Sequence, residues 1–157
     1  MLTLLGTIVG ALGFRMRGSA VFGELTGRGI GTARLVCWAL PMALLSLFVI
    51  EWYWALLFCA AMYVGSLPGW YGAFCMIDAR DWLVMLARGI GWTLLGAIVF
   101  FIAGAPAWPL LFAGMLCPVA YAIGWAIPSR VPWLLRGTEI GEFLFGAFIG
   151  TAIMLCR

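Results

Sequence analysis

The sequence predicts an all-α fold: a polytopic transmembrane helix bundle of about six spans, forming a single integral membrane domain over residues 1–157. Three observations predict it. Hydrophobic residues make up 66% of the chain, well above the roughly 45–50% of a soluble domain. Only 10% of residues are charged. A soluble fold of this length could not hide so much apolar surface, because small domains leave a large share of their surface exposed. The charges, finally, fall in clusters between apolar runs of near-spanning length.

The runs are Leu2 to Phe14, Leu35 to Ile50, Trp52 to Leu67, Ile90 to about Ala103, Leu110 to Ile127, and Ile140 to Leu155. Spanning takes ~20 helical residues. Several runs are shorter, and flanking Arg side chains can extend them by reaching for the interface. Leu35 to Leu67 is nearly continuous, yet one helix of that length would be ~50 Å long against a hydrocarbon core of about 30 Å. Glu51, set among Trp52, Tyr53 and Trp54, has the composition of an interfacial turn. A hairpin is therefore expected there.

Charge placement then sets the expected topology. Arg15, Arg17, Arg28 and Arg34 lie between spans one and two, Arg80 and Arg88 between three and four, and Arg130 and Arg136 between five and six. The opposite face carries Glu51, the uncharged Ala105-Pro106-Ala107 turn and Arg157. Eight of the nine basic residues fall on one side. The positive-inside rule makes that side cytoplasmic and places both termini outside. No basic stretch accompanies Met1, Leu2 and Thr3, so the first apolar run is expected to be retained rather than cleaved.

A weak repeat follows this geometry. Arg28-Gly29-Ile30-Gly31, Arg88-Gly89-Ile90-Gly91 and Arg136-Gly137 each stand where an outward-going span should begin. Three helical hairpins would explain this, as would the general frequency of Arg and Gly at membrane boundaries.

Missing residue types narrow the chemistry. The chain has no His, so it lacks the commonest general base and metal ligand, and Ser-His or Cys-His nucleophile schemes are excluded within it. Cys37, Cys59, Cys75, Cys117 and Cys156 form no CxxC pair and read as small apolar residues. No metal site and no cofactor is expected.

Two polar constellations remain. Arg15, Arg17, Arg28, Arg34, Arg88 and Arg136 are candidates for anion or lipid head-group binding. Their guanidinium groups suit bidentate contact with phosphate, and the opening loop is rich in Gly. The alternative is a basic loop that sets topology and touches anionic lipids. Asp78 with Asp81, and Glu139 with Glu142, form carboxylate pairs at i and i+3 that share a helix face. Two such acids could hold a Mg²⁺ that bridges a phosphate. Ion pairing is the more common use, and Arg88 or Arg136 is expected to pair with Glu139 or Glu142.

Small residues predict close helix approach at Gly6-xxx-Gly10 and Gly146-xxx-Gly150. These faces would pack against each other or against a second copy, the latter making a homo-oligomer. The aromatics read as interfacial belts, with no stacking platform for nucleic acid, so nucleic-acid binding is not expected.

The stretch Gly137-Thr138-Glu139-Ile140-Gly141-Glu142-Phe143-Leu144-Phe145-Gly146-Ala147 resembles small multispan membrane proteins of phage and prophage genomes. Arg17-Gly18 and Gly124-Trp125-Ala126-Ile127-Pro128-Ser129-Arg130 add to the likeness. The resemblance implies a bacterial inner-membrane location and transfers no catalytic residue. Two functions are expected on these grounds. One is a non-enzymatic membrane effector, either a holin-like permeabiliser or an envelope-modifying exclusion factor. The other is a membrane-embedded enzyme or binder acting on a phosphate-bearing lipid through the Arg and carboxylate cluster. Membrane lipids with anionic head groups are the expected partners.

Overall fold

A computed structural model describes residues 1–16, 29–75, 82–126 and 137–157, and every regular element among them is helical. Helix α1 covers Leu2–Met16. Helix α2 (Gly29–Arg34) runs through a π-helical turn, Leu35–Ala39, into α3 (Leu40–Ser46). Then follow α4 (Trp52–Cys75), α5 (Trp82–Ile102), α6 (Trp108–Met115), α7 (Cys117–Ala126) and α8 (Gly137–Leu155).

The expected hairpin is present: α3 ends at Ser46, five residues turn, and α4 begins beside Glu51. The Ala105-Pro106-Ala107 turn is present too. Gly104 enters it at φ 78, a left-handed conformation that a side chain would strain. One boundary differs. Helix α5 starts at Trp82 rather than at Ile90, so Arg88-Gly89 lies two turns inside a helix instead of opening one. Of the three Arg-Gly steps, the first and third do stand at helix starts, Gly29 and Gly137.

Neighbouring helices run antiparallel and close into a ring. Helix α4 meets α5 through Phe58 and Phe100, whose ring centroids lie 4.9 Å apart. Helix α5 meets α6 where Gly89 faces Gly114. Helix α7 lays Tyr121 over Gly141 of α8. Helix α8 then packs along α1, and α1 returns to the π turn, where Gly13 faces Cys37. The α1–α8 seam is the tightest. A Cβ on Gly6 would fall against the Gly150 carbonyl, and one on Gly10 against the Gly146 carbonyl. The small-residue faces thus pack against each other within one chain, and backbone contact replaces side-chain contact. Thr7 donates to the Thr3 carbonyl at 2.9 Å and shares a 2.7 Å hydrogen bond with Thr151 across the seam.

Four elements send one aromatic each to the axis of the ring. Phe14 of α1 contacts Trp38 of the π turn and Trp92 of α5, both at 5.0 Å, and Phe145 of α8 at 5.1 Å. Trp38 and Trp92 contact each other at 5.6 Å. All four contacts are edge-on, the arrangement that ring quadrupoles favour.

Pro41 and Pro118 each stand beside an irregularity in their helix, and the two are accommodated in the same way. Pro41 has no N–H for the Cys37 carbonyl four residues back, and Pro118 has none for Gly114. Next to Pro41 the chain forms its π turn, with the Leu40 N–H reaching back to the Leu35 carbonyl. Next to Pro118 the helix breaks between α6 and α7 at Leu116. Both carbonyls then face a glycine on a neighbouring helix. Cys37 faces Gly13, at 2.5 Å from the position of an ideal Cβ, and Gly114 faces Gly89 still more closely. Glycine admits a carbonyl that any side chain would exclude, so the helices approach where their own hydrogen bonding is interrupted.

The outer surface is as apolar as the interior. Leu4, Leu44, Leu56, Leu83, Phe101 and Phe112 are all more than half exposed. The buried polar residues include Ser46, Ser66 and Thr93, whose hydroxyls each donate to a carbonyl of their own helix. Two helices, Trp82–Ile102 and the segment Trp108–Ala126, are long and apolar enough to cross a membrane, and only 44% of each is buried. Leu2–Met16, Gly31–Ser46 and the Trp52–Leu67 part of α4 are shorter apolar helical stretches. A continuous apolar exterior of this kind is suited to lipid rather than to water.

Cys37, Cys117 and Cys156 are buried and Cys59 is partly buried, as thiols within apolar packing.

Candidate head-group site at the charged end

The antiparallel order brings the end of α1, the end of α2 and the starts of α5 and α8 to one end of the ring. Arg15 is in the last turn of α1, Arg34 closes α2, Arg88 is in the second turn of α5, and Glu139 and Glu142 lie in the first turns of α8. Arg17, Arg28, Arg136, Asp78 and Asp81 lie outside the described residues.

Helical spacing aims the described charges inward. Residues three or four apart share a helix face. Arg34 precedes Trp38 by four residues, Arg88 precedes Trp92 by four, and Glu142 precedes Phe145 by three. Those aromatics form the axial cluster, so Arg34, Arg88 and Glu142 stand one turn beyond it on the same inward faces. The result is a charged tier over an aromatic floor.

Within the tier, Arg15 pairs with Glu139 through Nη2 and Oε1, and both side chains are about a quarter exposed. Arg15 is thus one partner of Glu139; of the pairings expected between Arg88 or Arg136 and Glu139 or Glu142, those of Arg136 lie outside the described residues. Arg88 lies over the Tyr121 ring, with its guanidinium carbon 5.0 Å from the centroid. Tyr121 is itself buried, and a cation above a desolvated ring is held more firmly than at an exposed site. The Arg88 Nε atom is buried and makes no hydrogen bond among the described residues. Arg34 is 3% exposed, which is rare for a permanently charged residue.

Three guanidinium groups and two carboxylates therefore lie on turns at this end, and among them Arg15 and Glu139 are in contact. No group of three metal-ligating side chains occurs among the described residues. Guanidinium groups carry several N–H donors, the chemistry that suits a phosphate or carboxylate oxygen. Sequence reading missed Tyr121 and the Arg15–Glu139 pair. Both depend on which helices are neighbours in the ring, information that helical spacing within a single run does not contain.

No family model matches the chain, and no solved structure matches it. Among curated proteins, a 4-hydroxybenzoate octaprenyltransferase from Ralstonia nicotianae is 33% identical over 97 residues. The match covers 62% of this chain but only 32% of that relative, so the chain spans about a third of the length of the curated protein it matches.

Proposed function

We propose that this chain is a six-span protein of a bacterial inner membrane that holds the phosphate-bearing head group of an anionic lipid at its charged end. The observation that carries the reading is the inward placement of Arg34 and Arg88 over the aromatic floor. Arg residues that serve only to set topology need no burial, since they act from the interface. The Arg88 Nε, buried and without a hydrogen bond among the described residues, is a donor that a phosphate oxygen can accept from.

Two further observations support it. The distribution of charge, with eight of nine Arg on one side, fits a cytoplasmic location for this end and an outward location for both termini. The partial match to a protein named for octaprenyl transfer fits a ligand with a long apolar chain. We assign no catalytic residue, and the reading is that of a binder whether or not chemistry follows.

The test is binding in nanodiscs, comparing phosphatidylglycerol with phosphatidylcholine of identical acyl chains by native mass spectrometry. The anionic lipid should be retained preferentially. Arg34→Gln should reduce that preference by about tenfold or more, the value of one or two hydrogen bonds to a charged group. Arg34→Lys should keep part of it, because the charge remains while the fork geometry is lost. Equal retention of both lipids by the unaltered protein would end the proposal.

A second reading, the phage-type membrane effector, rests on the resemblance of the Gly137 to Ala147 stretch. Its envelope-modifying form is compatible with head-group binding. Its permeabiliser form would require several copies, since the axis of the single ring is filled by Phe14, Trp38, Trp92 and Phe145. Induced expression in a bacterial host separates the two: rapid depolarisation supports the permeabiliser, and intact potential with altered lipid retention supports the binder.

A further inference from the structure

We infer that the Tyr63 hydroxyl is a further binding group of the charged end, standing beside Arg34 and donating a hydrogen bond to the same head-group phosphate. This role rests on the head-group reading above. It adds a neutral donor from α4, a helix with no charged residue.

Neighbours along α4 fix where Tyr63 stands. Met62, one residue earlier, is fully buried, and its sulfur lies 3.1 Å from where a Cβ on Gly96 of α5 would be. Gly65, two residues later, has the Gly91 carbonyl of α5 at 3.1 Å from its own ideal Cβ. The Ser66 hydroxyl donates to the Tyr63 carbonyl at 2.6 Å. Helix α4 is thus held against α5 on both sides of Tyr63. The Tyr63 side chain leaves the helix about 100° round from Met62 and reaches α2 instead. Its hydroxyl oxygen lies 3.2 Å from the position of an ideal Cβ on Gly31. A side chain at position 31 would push the phenol back by a few tenths of an ångström, so glycine there admits it.

The face of α2 that receives the hydroxyl also carries Arg34. Residues three apart share a helix face, and Gly31 precedes Arg34 by three. The Arg34 guanidinium and the Tyr63 phenol are within electrostatic reach of each other. Arg34 is buried, whereas Tyr63 keeps partial exposure, so a reachable donor stands next to a buried cation. The hydroxyl makes no hydrogen bond among the described residues, although a tyrosine hydroxyl in apolar surroundings ordinarily finds a partner. An anion held by Arg34 supplies that partner. A hydroxyl donating to an anionic oxygen makes a charge-assisted hydrogen bond, roughly twice as strong as a neutral one. The phenol contributes this donor without adding another positive charge to the tier.

The experiment uses the full chain in nanodiscs and measures retention of phosphatidylglycerol relative to phosphatidylcholine of identical acyl chains by native mass spectrometry. Tyr63→Phe keeps the ring and removes only the hydroxyl. It should lower the anionic preference about tenfold, the value of one hydrogen bond to a charged group. Tyr53→Phe, at the other end of α4 beside Glu51, should leave the preference unchanged. Gly31→Ala keeps the hydroxyl but displaces it. That change should lower the preference in the unaltered chain and add nothing in the Tyr63→Phe background. Because the readout is a ratio between two lipids, a phenol that merely supported the bundle would not move it. Full preference retained by Tyr63→Phe while Arg34→Gln loses it would overturn the role of Tyr63 and leave the head-group reading standing. A Gly31→Ala effect of equal size in both backgrounds would overturn the placement of the hydroxyl. Equal retention of both lipids by the unaltered protein would overturn the head-group reading, and the role of Tyr63 with it.

Discussion

Gly10 and Gly146 face each other across the α1–α8 seam so closely that each one's carbonyl occupies the space where the other's Cβ would stand. The contact is backbone against backbone, and no rotamer change can relieve an added methyl group. Gly146→Ala should destabilise the bundle by about 1–3 kcal/mol, toward the upper part of the range for overpacking because backbone must move. Gly146→Leu should prevent the seam from forming. Thermal unfolding in mild detergent measures both, and an unchanged midpoint for Gly146→Leu would contradict the seam as described.

The axial aromatic cluster makes a second prediction. Phe14 touches Trp38, Trp92 and Phe145 and is fully buried. Phe14→Ala removes the shared member and leaves a cavity that four separate elements would have to close. A loss of about 3–5 kcal/mol is expected, together with weakening of the near-ultraviolet circular dichroism of the two tryptophans. Phe14→Leu, which retains most of the volume, should cost far less.

The Arg15–Glu139 pair joins the first helix to the last. Its partial exposure makes it a modest contributor. Reversing either residue alone, Arg15→Glu or Glu139→Arg, should lower stability by about 1 kcal/mol, and reversing both should recover most of that. Failure of the double variant to recover anything lost by the single ones would remove the pair as an energetic contact.

Arg88 over Tyr121 predicts a different pattern. Tyr121→Phe keeps the ring face and should retain the cation contact. Tyr121→Leu keeps burial but not the quadrupole, and should weaken the bundle by about 0.5–2 kcal/mol. If head-group binding depends on Arg88 being held in the tier, the Leu variant should also lose anionic-lipid preference while the Phe variant retains it.

The proposed topology is checked by labelling single cysteines introduced into a chain whose native cysteines are replaced. Pro106→Cys should react with a membrane-impermeant reagent applied from outside the cell. Cysteines replacing Gly18 or Ser129 should be protected until the membrane is opened. Reaction of all three from outside would refute the arrangement.

Much of the helical architecture was legible in the sequence because long apolar runs must pair their backbone groups among themselves wherever water is excluded. Runs of apolar residues must be helices, and charges must sit at their ends. Glu51 among its aromatics revealed the hairpin between α3 and α4. The spacing of Gly6, Gly10, Gly146 and Gly150 indicated close backbone approach, with packing against each other as one of the two options. The start of α5 was not legible. Arg88 resembles a boundary residue, since a charge inside a helix near the membrane is costly, and only Tyr121 from another helix shows how it is accommodated. The π turn was equally hidden. Pro41 announces an interruption, but its form depends on Gly13 of α1 receiving the Cys37 carbonyl. An Arg partner was expected for Glu139 or Glu142, while Arg15 as a partner of Glu139 depends on which helices are neighbours in the ring.

Ring closure also sets an order of events during synthesis. Helix α1 finds its tightest neighbour in α8, and Arg15 is separated from Glu139 by 124 positions. At roughly 5–20 residues per second, the ribosome needs about 6–25 s to make that stretch. For that interval the glycine face of α1 has no cognate surface. On the proposed membrane placement, α1 is then shielded by lipid, by insertion machinery or by a temporary neighbour until α8 arrives.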